Sequence, residues 1–218
     1  KFWSSKKYLN HISKKFVYKN KQININILFA FLNVITLFGF KKKINVFDFG
    51  GGTGLNYNKN FLNNNSSHKF IIYDNYELTK IGNKYNKNKN LSFINTTQLK
   101  TKKIDIVFIS SVLQYMNKVA TTLKKMTDMK PKCIILEDFF AHDNEDFILE
   151  ENFLGSNLFF KVHNLEKLIN LMNKNNYKLI FKSPYVPYVK GRYEFYSIVN
   201  LPKKLNIIYS YNLIFVKK

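Results

Sequence analysis

Four of the five residues from Gly50 to Gly54 are glycine, and they follow an acidic residue, Asp48, at the end of the apolar run VFDF. Glycine has no Cβ, so a loop of this kind lets the backbone, here including Phe49 and Gly51, come to contact distance of a ligand. Several ligands use such loops, and each leaves its own spacing. A phosphate-cradling P-loop needs Gly-x4-Gly-Lys followed by Ser or Thr, whereas Leu55 and Asn56 follow Gly54. A dinucleotide fingerprint needs Gly-x-Gly-x-x-Gly, and counting from Gly50 and Gly52 puts Leu55 at the last glycine position. What remains is Asp48-x-Gly50-x-Gly52-x-Gly54, an acidic residue followed by alternating glycines.

A second carboxylate lies at a matching distance. Asp74 ends the apolar run KFIIY, twenty residues past Gly54, and a carboxylate there can accept the hydrogens of both ribose hydroxyls. Asn75 follows it and would lie near the base of a bound nucleoside, and the polar run Asn95-Thr96-Thr97 could reach that base.

The elements that position these residues alternate between strand-like and helix-like patterns. Apolar spacings of three and four predict helices over Lys7 to Tyr18, Ile27 to Leu37, Leu55 to Leu62, Glu77 to Tyr85, Val119 to Met129 and Leu165 to Asn175. Continuous apolar runs predict strands over Ile44 to Phe49, Lys69 to Tyr73, Leu91 to Ile94, Ile104 to Ile109, Lys132 to Leu136, Tyr177 to Phe181 and Ile207 to Val216. Strands of this kind, alternating with helices, indicate an α/β sheet covered on both faces. The stretch from Ser183 to Lys204 reads as a long excursion before the last strand. With 218 residues and 45% hydrophobic content, the chain suits one domain: a helical extension over 1–40 and an α/β core over 41–218.

The formal charge of +21 invites a nucleic-acid reading. The excess is lysine spread along the whole chain, and Arg192 is the sole arginine. Specific readers of phosphate and bases favour arginine, so no specific nucleic acid is expected. Weak attraction to anionic membranes or glycans is compatible with this surface. The most apolar stretch, Asn26 to Phe40, is short for a membrane span and carries Asn33. The lone cysteine, Cys133, rules out an internal disulfide, which suits a cytoplasmic location. No His, Cys and carboxylate cluster has metal-site spacing, so no metal is expected.

The acidic-x-Gly-x-Gly-x-Gly motif resembles the first motif of class I S-adenosylmethionine-dependent methyltransferases. The resemblance implies a Rossmann-like seven-stranded sheet, mostly parallel with its last strand antiparallel, flanked by helices. It also implies S-adenosylmethionine as cofactor, with Asp48 orienting its ammonium end. In that family the end of the fourth strand, here in FISSVLQYM, underlies the transferred methyl group. Ser110 and Ser111 would then admit the cofactor, or cap the next helix, while Gln114 and Tyr115 would face the acceptor. Taken together, VFDFGGGTGLNY, SSVLQYM and IILEDFFA are similar to a narrower group, methyltransferases encoded among bacterial surface-polysaccharide (O-antigen or capsule) biosynthesis genes. FWSSKKYL, YKLIFKSPYVP and YSYNLIFVKK extend that similarity over nearly the whole chain. One departure follows EDFFA, where the group's Gly-Asp-Ile-Pro-like turn is replaced by His142-Asp143-Asn144-Glu145.

Methyl transfer to a hydroxyl depends on positioning and on a base near neutral pH. By position the candidates are Glu137, Asp138, His142 and His163, with Asp138 and His142 preferred as catalytic residues. The expectation is an O-methyltransferase acting on a sugar of a surface glycan or its precursor. The alternatives are an RNA methyltransferase using the basic surface and a non-catalytic binding or scaffold protein of the same fold. A nicotinamide oxidoreductase is disfavoured by its failed glycine spacing.

Overall fold

A computed structural model describes residues 2–17, 43–54, 57, 68–96, 103–186, 188–189, 192–193 and 210–218. The helix expected at 27–37 lies outside these residues. So do the helix at 55–62 (Tyr57 apart), Thr97 and most of the excursion before the last strand. The chain divides into two compact units, Lys1–Phe108 and Ile109–Lys218.

The first unit opens with a short 3-10 turn, Phe2–Ser4, and helix α1, Lys6–Val17. The rings of Phe2, Trp3 and Tyr8 cluster there, with centroids 5.0 to 5.5 Å apart. Strand β1 (Asn45–Phe49) pairs in parallel with β2 (Lys69–Tyr73), Asn45 opposite Lys69. Helix α2 (Tyr76–Tyr85) then leads to β3 (Leu91–Ile94), which pairs in parallel with β2, Phe70 opposite Leu91. Val46, Phe47, Phe49, Phe70, Ile71 and Ile72 are all buried, as expected where a parallel sheet is covered on both faces. Asn75 caps α2, its side-chain oxygen accepting from the Leu78 amide at 3.1 Å.

Strand β4 (Ile106–Ser110) runs into the second unit. A 3-10 turn, Leu113–Tyr115, precedes helix α3 (Val119–Asp128). Strand β5 (Cys133–Phe139) is buried along its whole length. It extends three residues past the expected end, so Glu137 and Asp138 belong to the strand. β6 (Ala141–His142), β7 (Phe147–Phe153) and β8 (Ser156–Asn164) form a small separate sheet. Helix α4 (Leu165–Lys174) buries Leu165, Leu168 and Met172. β9 (Tyr177–Tyr185) follows, then a ribbon of β10 (Tyr188–Val189) and β11 (Arg192–Tyr193), and finally β12 (Ser210–Lys217).

The principal sheet has seven strands in the order β3-β2-β1-β4-β5-β12-β9, and β12 runs antiparallel to both β5 and β9. This is the expected α/β Rossmann-like architecture. The strand order reverses beside β1, the kind of position where open α/β sheets bind ligands at their carboxyl ends. β9 reaches Pro184 because it lies at the sheet's edge, where a missing N–H is tolerated.

The β7–β8 hairpin is a finding that sequence patterning did not anticipate. Its two-residue turn, Leu154-Gly155, has φ of 52° and 70°, the double positive φ of a type I′ turn. Leucine in place of the usual Asn or Asp hides that signal. One hairpin face packs Phe160 and Val162 with Phe140, Tyr115, Phe147 and Leu149. Among the described residues no helix is long and apolar enough to cross a membrane.

Candidate functional site

In the first unit, β1 delivers Asp48 to the sheet's carboxyl edge, only 3% exposed. The Gly50 amide donates to the Tyr73 carbonyl at 2.8 Å, and Phe49 stacks on Tyr73 with centroids 5.0 Å apart. The chain then turns tightly. A Cβ on Gly51 would lie 2.0 Å from Asp48 Oδ2 and 2.9 Å from Ile72 Cγ2, so only glycine lets the loop pass over the carboxylate. Gly52 adopts φ of 60°, and the space where its side chain would stand is open to 4 Å. Its amide donates to Asp74 Oδ2 at 2.9 Å, and Asp74 Oδ1 accepts from the Asn75 amide at 2.7 Å. The Gly54 amide bonds the Gly51 carbonyl at 3.1 Å and closes the turn.

The loop brings Asp48 and Asp74 together, and each carries a distinct electrostatic character. Asp48 Oδ1 is buried without a hydrogen-bond partner. Burial pushes its carboxyl up to about 8; the Tyr57 hydroxyl opposes that shift and the charge of Asp74 adds to it. Asp74 is also raised, chiefly by burial, while its two backbone amide bonds hold it down. Tyr8, which the sequence places on the first helix with no site role, is pushed up to about 12 by burial, and the charge of Asp74 adds to the shift. A buried carboxyl with an unpartnered oxygen favours a cation, and Asp74 retains lone pairs for ligand hydroxyls. Asn75 uses its side-chain oxygen for the helix cap, leaving its NH2 as the group it can offer. Asn95 and Thr96 lie exposed beyond β3.

Gly51→Ala tests how tightly the loop is built. Forcing a methyl against Asp48 and Ile72 is expected to cost about 1–3 kcal/mol, read as a lower urea midpoint. A midpoint equal to the parent's would show that the Asp48 carboxylate swings freely aside.

In the second unit, Ser110 and Ser111, expected either to admit a ligand or to cap a helix, bond carboxylates. Ser110 Oγ donates to Glu137 Oε2 at 2.7 Å, and the Ser111 amide donates to the Glu137 carbonyl at 3.1 Å. Asp138 accepts from Ser111 Oγ and Ser210 Oγ, both at 2.5 Å. Ser111 and Asp138 both have φ near 50°, strained for these residues and held by this network. These bonds anchor both oxygens of the Asp138 carboxylate. Ser210 comes from the last strand, and no local pattern marked it. Gln114 is buried with Oε1 unpartnered, while the Tyr115 hydroxyl donates to Glu151 Oε1 at 2.6 Å.

His142 ends β6. Its Nδ1 accepts from the Asn144 and Glu145 amides, both at 3.3 Å, so it shapes the turn that replaces the Gly-Asp-Ile-Pro pattern. Asn164 bonds the Asn144 carbonyl at 2.6 Å and completes that turn. His163 is buried and stacks on Phe139, with centroids 5.2 Å apart.

No protein-family model and no curated protein matches the sequence. Solved structures do match the fold. Magnesium protoporphyrin IX methyltransferase from Synechocystis with bound S-adenosylhomocysteine is 12% identical, with a TM-score of 0.60, over 100% of this chain and 97% of that one. 1,6-Didemethyltoxoflavin-N1-methyltransferase from Burkholderia thailandensis is 12% identical, with a TM-score of 0.52, over 82% and 72%. An O-methyltransferase family 2 protein from Planctomyces limnophilus, in complex with apigenin, is 15% identical, with a TM-score of 0.51, over 80% and 49%. At these identities the likeness is one of fold. The chain has the Rossmann-like fold of the S-adenosylmethionine-dependent methyltransferases.

Proposed function

We propose that this protein is an S-adenosylmethionine-dependent methyltransferase whose cofactor is held by the Asp48–Asp74 loop. The observation that carries the reading is the buried, unpartnered Asp48 Oδ1 beside a glycine turn tied to Asp74 through the Gly52 amide. The residues fit the cofactor: Asp48 meets its ammonium, Asp74 its ribose hydroxyls, and the open side of Gly52 accepts its close approach. Phe49, Gly50, Gly51, Gly54 and Asn75 complete the cradle, with Ser110 and Ser111 assigned to the same role. When bound, S-adenosylmethionine supplies a methyl group on a cationic sulfur. The protein's part is to hold the acceptor hydroxyl in line and remove its proton. Gln114, with its unpartnered buried oxygen, and Tyr115 are suited to hold an acceptor. Asp138 and His142 remain the candidates for the base. Similarity to the surface-polysaccharide methyltransferases supports a glycan sugar or its precursor as acceptor, in the cytoplasm.

One observation favours a second reading, a cofactor-binding protein without transferase activity. The acceptor atoms of both candidate bases are engaged, Asp138 by two hydroxyls and His142 Nδ1 by two amides. Incubation with methyl-labelled S-adenosylmethionine and fractionated cell extract separates the readings. Label entering carbohydrate is the expected result, and label in RNA would move the acceptor class. Retained S-adenosylhomocysteine binding with no label in any fraction would establish the second reading. No cofactor binding at all would overturn both.

A further inference from the structure

The second unit holds a groove of about 590 Å³ that the reading above does not use. It is lined by the first turn of α3, the end of β8 and one face of α4. Lys118, Lys161, Lys167 and Lys174 line it, against a single carboxylate, Asp146. Asp146 pairs with Lys161 at 3.2 Å and Lys167 at 3.0 Å. Burial opposes ionisation of Asp146, but the Asn164 amide and these two lysines hold it down to about 2, so it stays charged. The lysines still outnumber it.

Two further features converge on the same groove. Helix α3 has Lys118 at its N-cap and no side-chain cap, so its first-turn amides and dipole favour a negative group. His163 lines the groove and is only 7% exposed, yet its Nε2 has no hydrogen-bond partner. A backbone hydrogen bond with Leu113 also engages the ring, and Phe139 stacks on one face of it. Nε2 is thus a buried polar atom that lacks a partner, a condition native proteins rarely leave unmet. Leu168 and Leu171 add apolar surface between the lysines.

We propose that this groove binds the phosphate or diphosphate group of an organic ligand. The anionic oxygens meet the lysine ammonium groups and the α3 amides, and a ligand hydroxyl or an acquired proton satisfies His163 Nε2. Compact lysine charges suit phosphate as point charges, without the bidentate geometry of arginine. Burial, then Lys161, holds His163 down to about 4, while Asp146 and the Leu113 backbone hydrogen bond oppose that. A bound phosphate adds negative charge and raises it. The inference does not depend on methyl transfer.

The test is calorimetric titration of the full chain with inorganic pyrophosphate, with uridine diphosphate, and with phosphatidylcholine vesicles carrying phosphatidic acid, at about 0.15 M salt to screen diffuse attraction. Binding of the first two identifies a soluble phosphate ligand, and binding of the vesicles identifies a lipid headgroup; either supports the site. The K118E/K174E variant changes two exposed residues, and it is expected to weaken whichever probe binds at least roughly tenfold. K87E/K89E, an exposed pair on the first unit, should leave binding unchanged. The His163 imidazole resonance should move on saturation, with its titration midpoint raised. No binding by any probe, equal loss in both variants, or an unmoved His163 resonance would overturn the proposal.

Discussion

Asp74→Ala is expected to weaken S-adenosylhomocysteine binding at least roughly a hundredfold, about 2.8 kcal/mol, while the protein still folds. The Asp74 carboxylate does two things at once. It fixes the loop, accepting from the Gly52 amide at 2.9 Å and the Asn75 amide at 2.7 Å, and it offers its remaining lone pairs to the ribose. A hydrogen bond to a charged group is worth roughly 1.5–3 kcal/mol. Losing the ribose contacts and the loop's preset conformation together therefore exceeds what either would cost alone. Asp74→Asn separates the two roles. Its oxygen can keep one amide, but its NH2 then confronts the other, so an intermediate loss of roughly tenfold is expected. Calorimetry measures the affinities and thermal unfolding measures the fold. Parent-like affinity in Asp74→Ala would remove the ribose assignment and with it the cofactor reading.

Asp48→Asn should make the protein more stable at pH 8 and poorer at binding. The folded carboxyl is raised to about 8 from an ordinary value of 3.8, mainly by burial. Between those values the folded state keeps a proton that the unfolded chain releases, so this group's contribution is full below about pH 4 and is lost as pH rises to 8. Asparagine is neutral throughout and removes that slope. His163, held down to about 4 from 6.5, slopes the other way between those values. The informative quantity is therefore the difference between variant and parent, which should widen steadily from pH 4 to 8. A cation on Asp48 favours its ionised form, so S-adenosylhomocysteine binding at pH 7 should release up to about one proton in the parent and none in Asp48→Asn. Calorimetry in buffers of different ionisation enthalpy reads that proton. A flat stability difference together with no proton release would show that Asp48 does not meet the cofactor's charge.

The glycine loop and its two carboxylates could be read from the sequence because their constraints are local. A backbone that passes over Asp48 at Gly51, and turns with positive φ at Gly52, admits almost no other residue, so type and spacing carry the geometry. The same holds for the buried parallel strands: β2 and β3 begin and end where their apolar runs do. The hairpin Phe147–Asn164 escaped notice because one of its faces is only partly buried, and its turn is Leu-Gly. What tertiary structure alone decided is how the polar groups are partnered. Ser210 reaches Asp138 across 72 residues of sequence and turns a candidate base into an anchored carboxylate. His142, a candidate base, accepts two amides of its own turn, whereas His163 lies buried with an unanswered nitrogen. A residue's type states what it can donate or accept. Which partners reach it, and how much water is left around it, depends on chain segments far away in the sequence, and those two quantities set its charge and its chemistry.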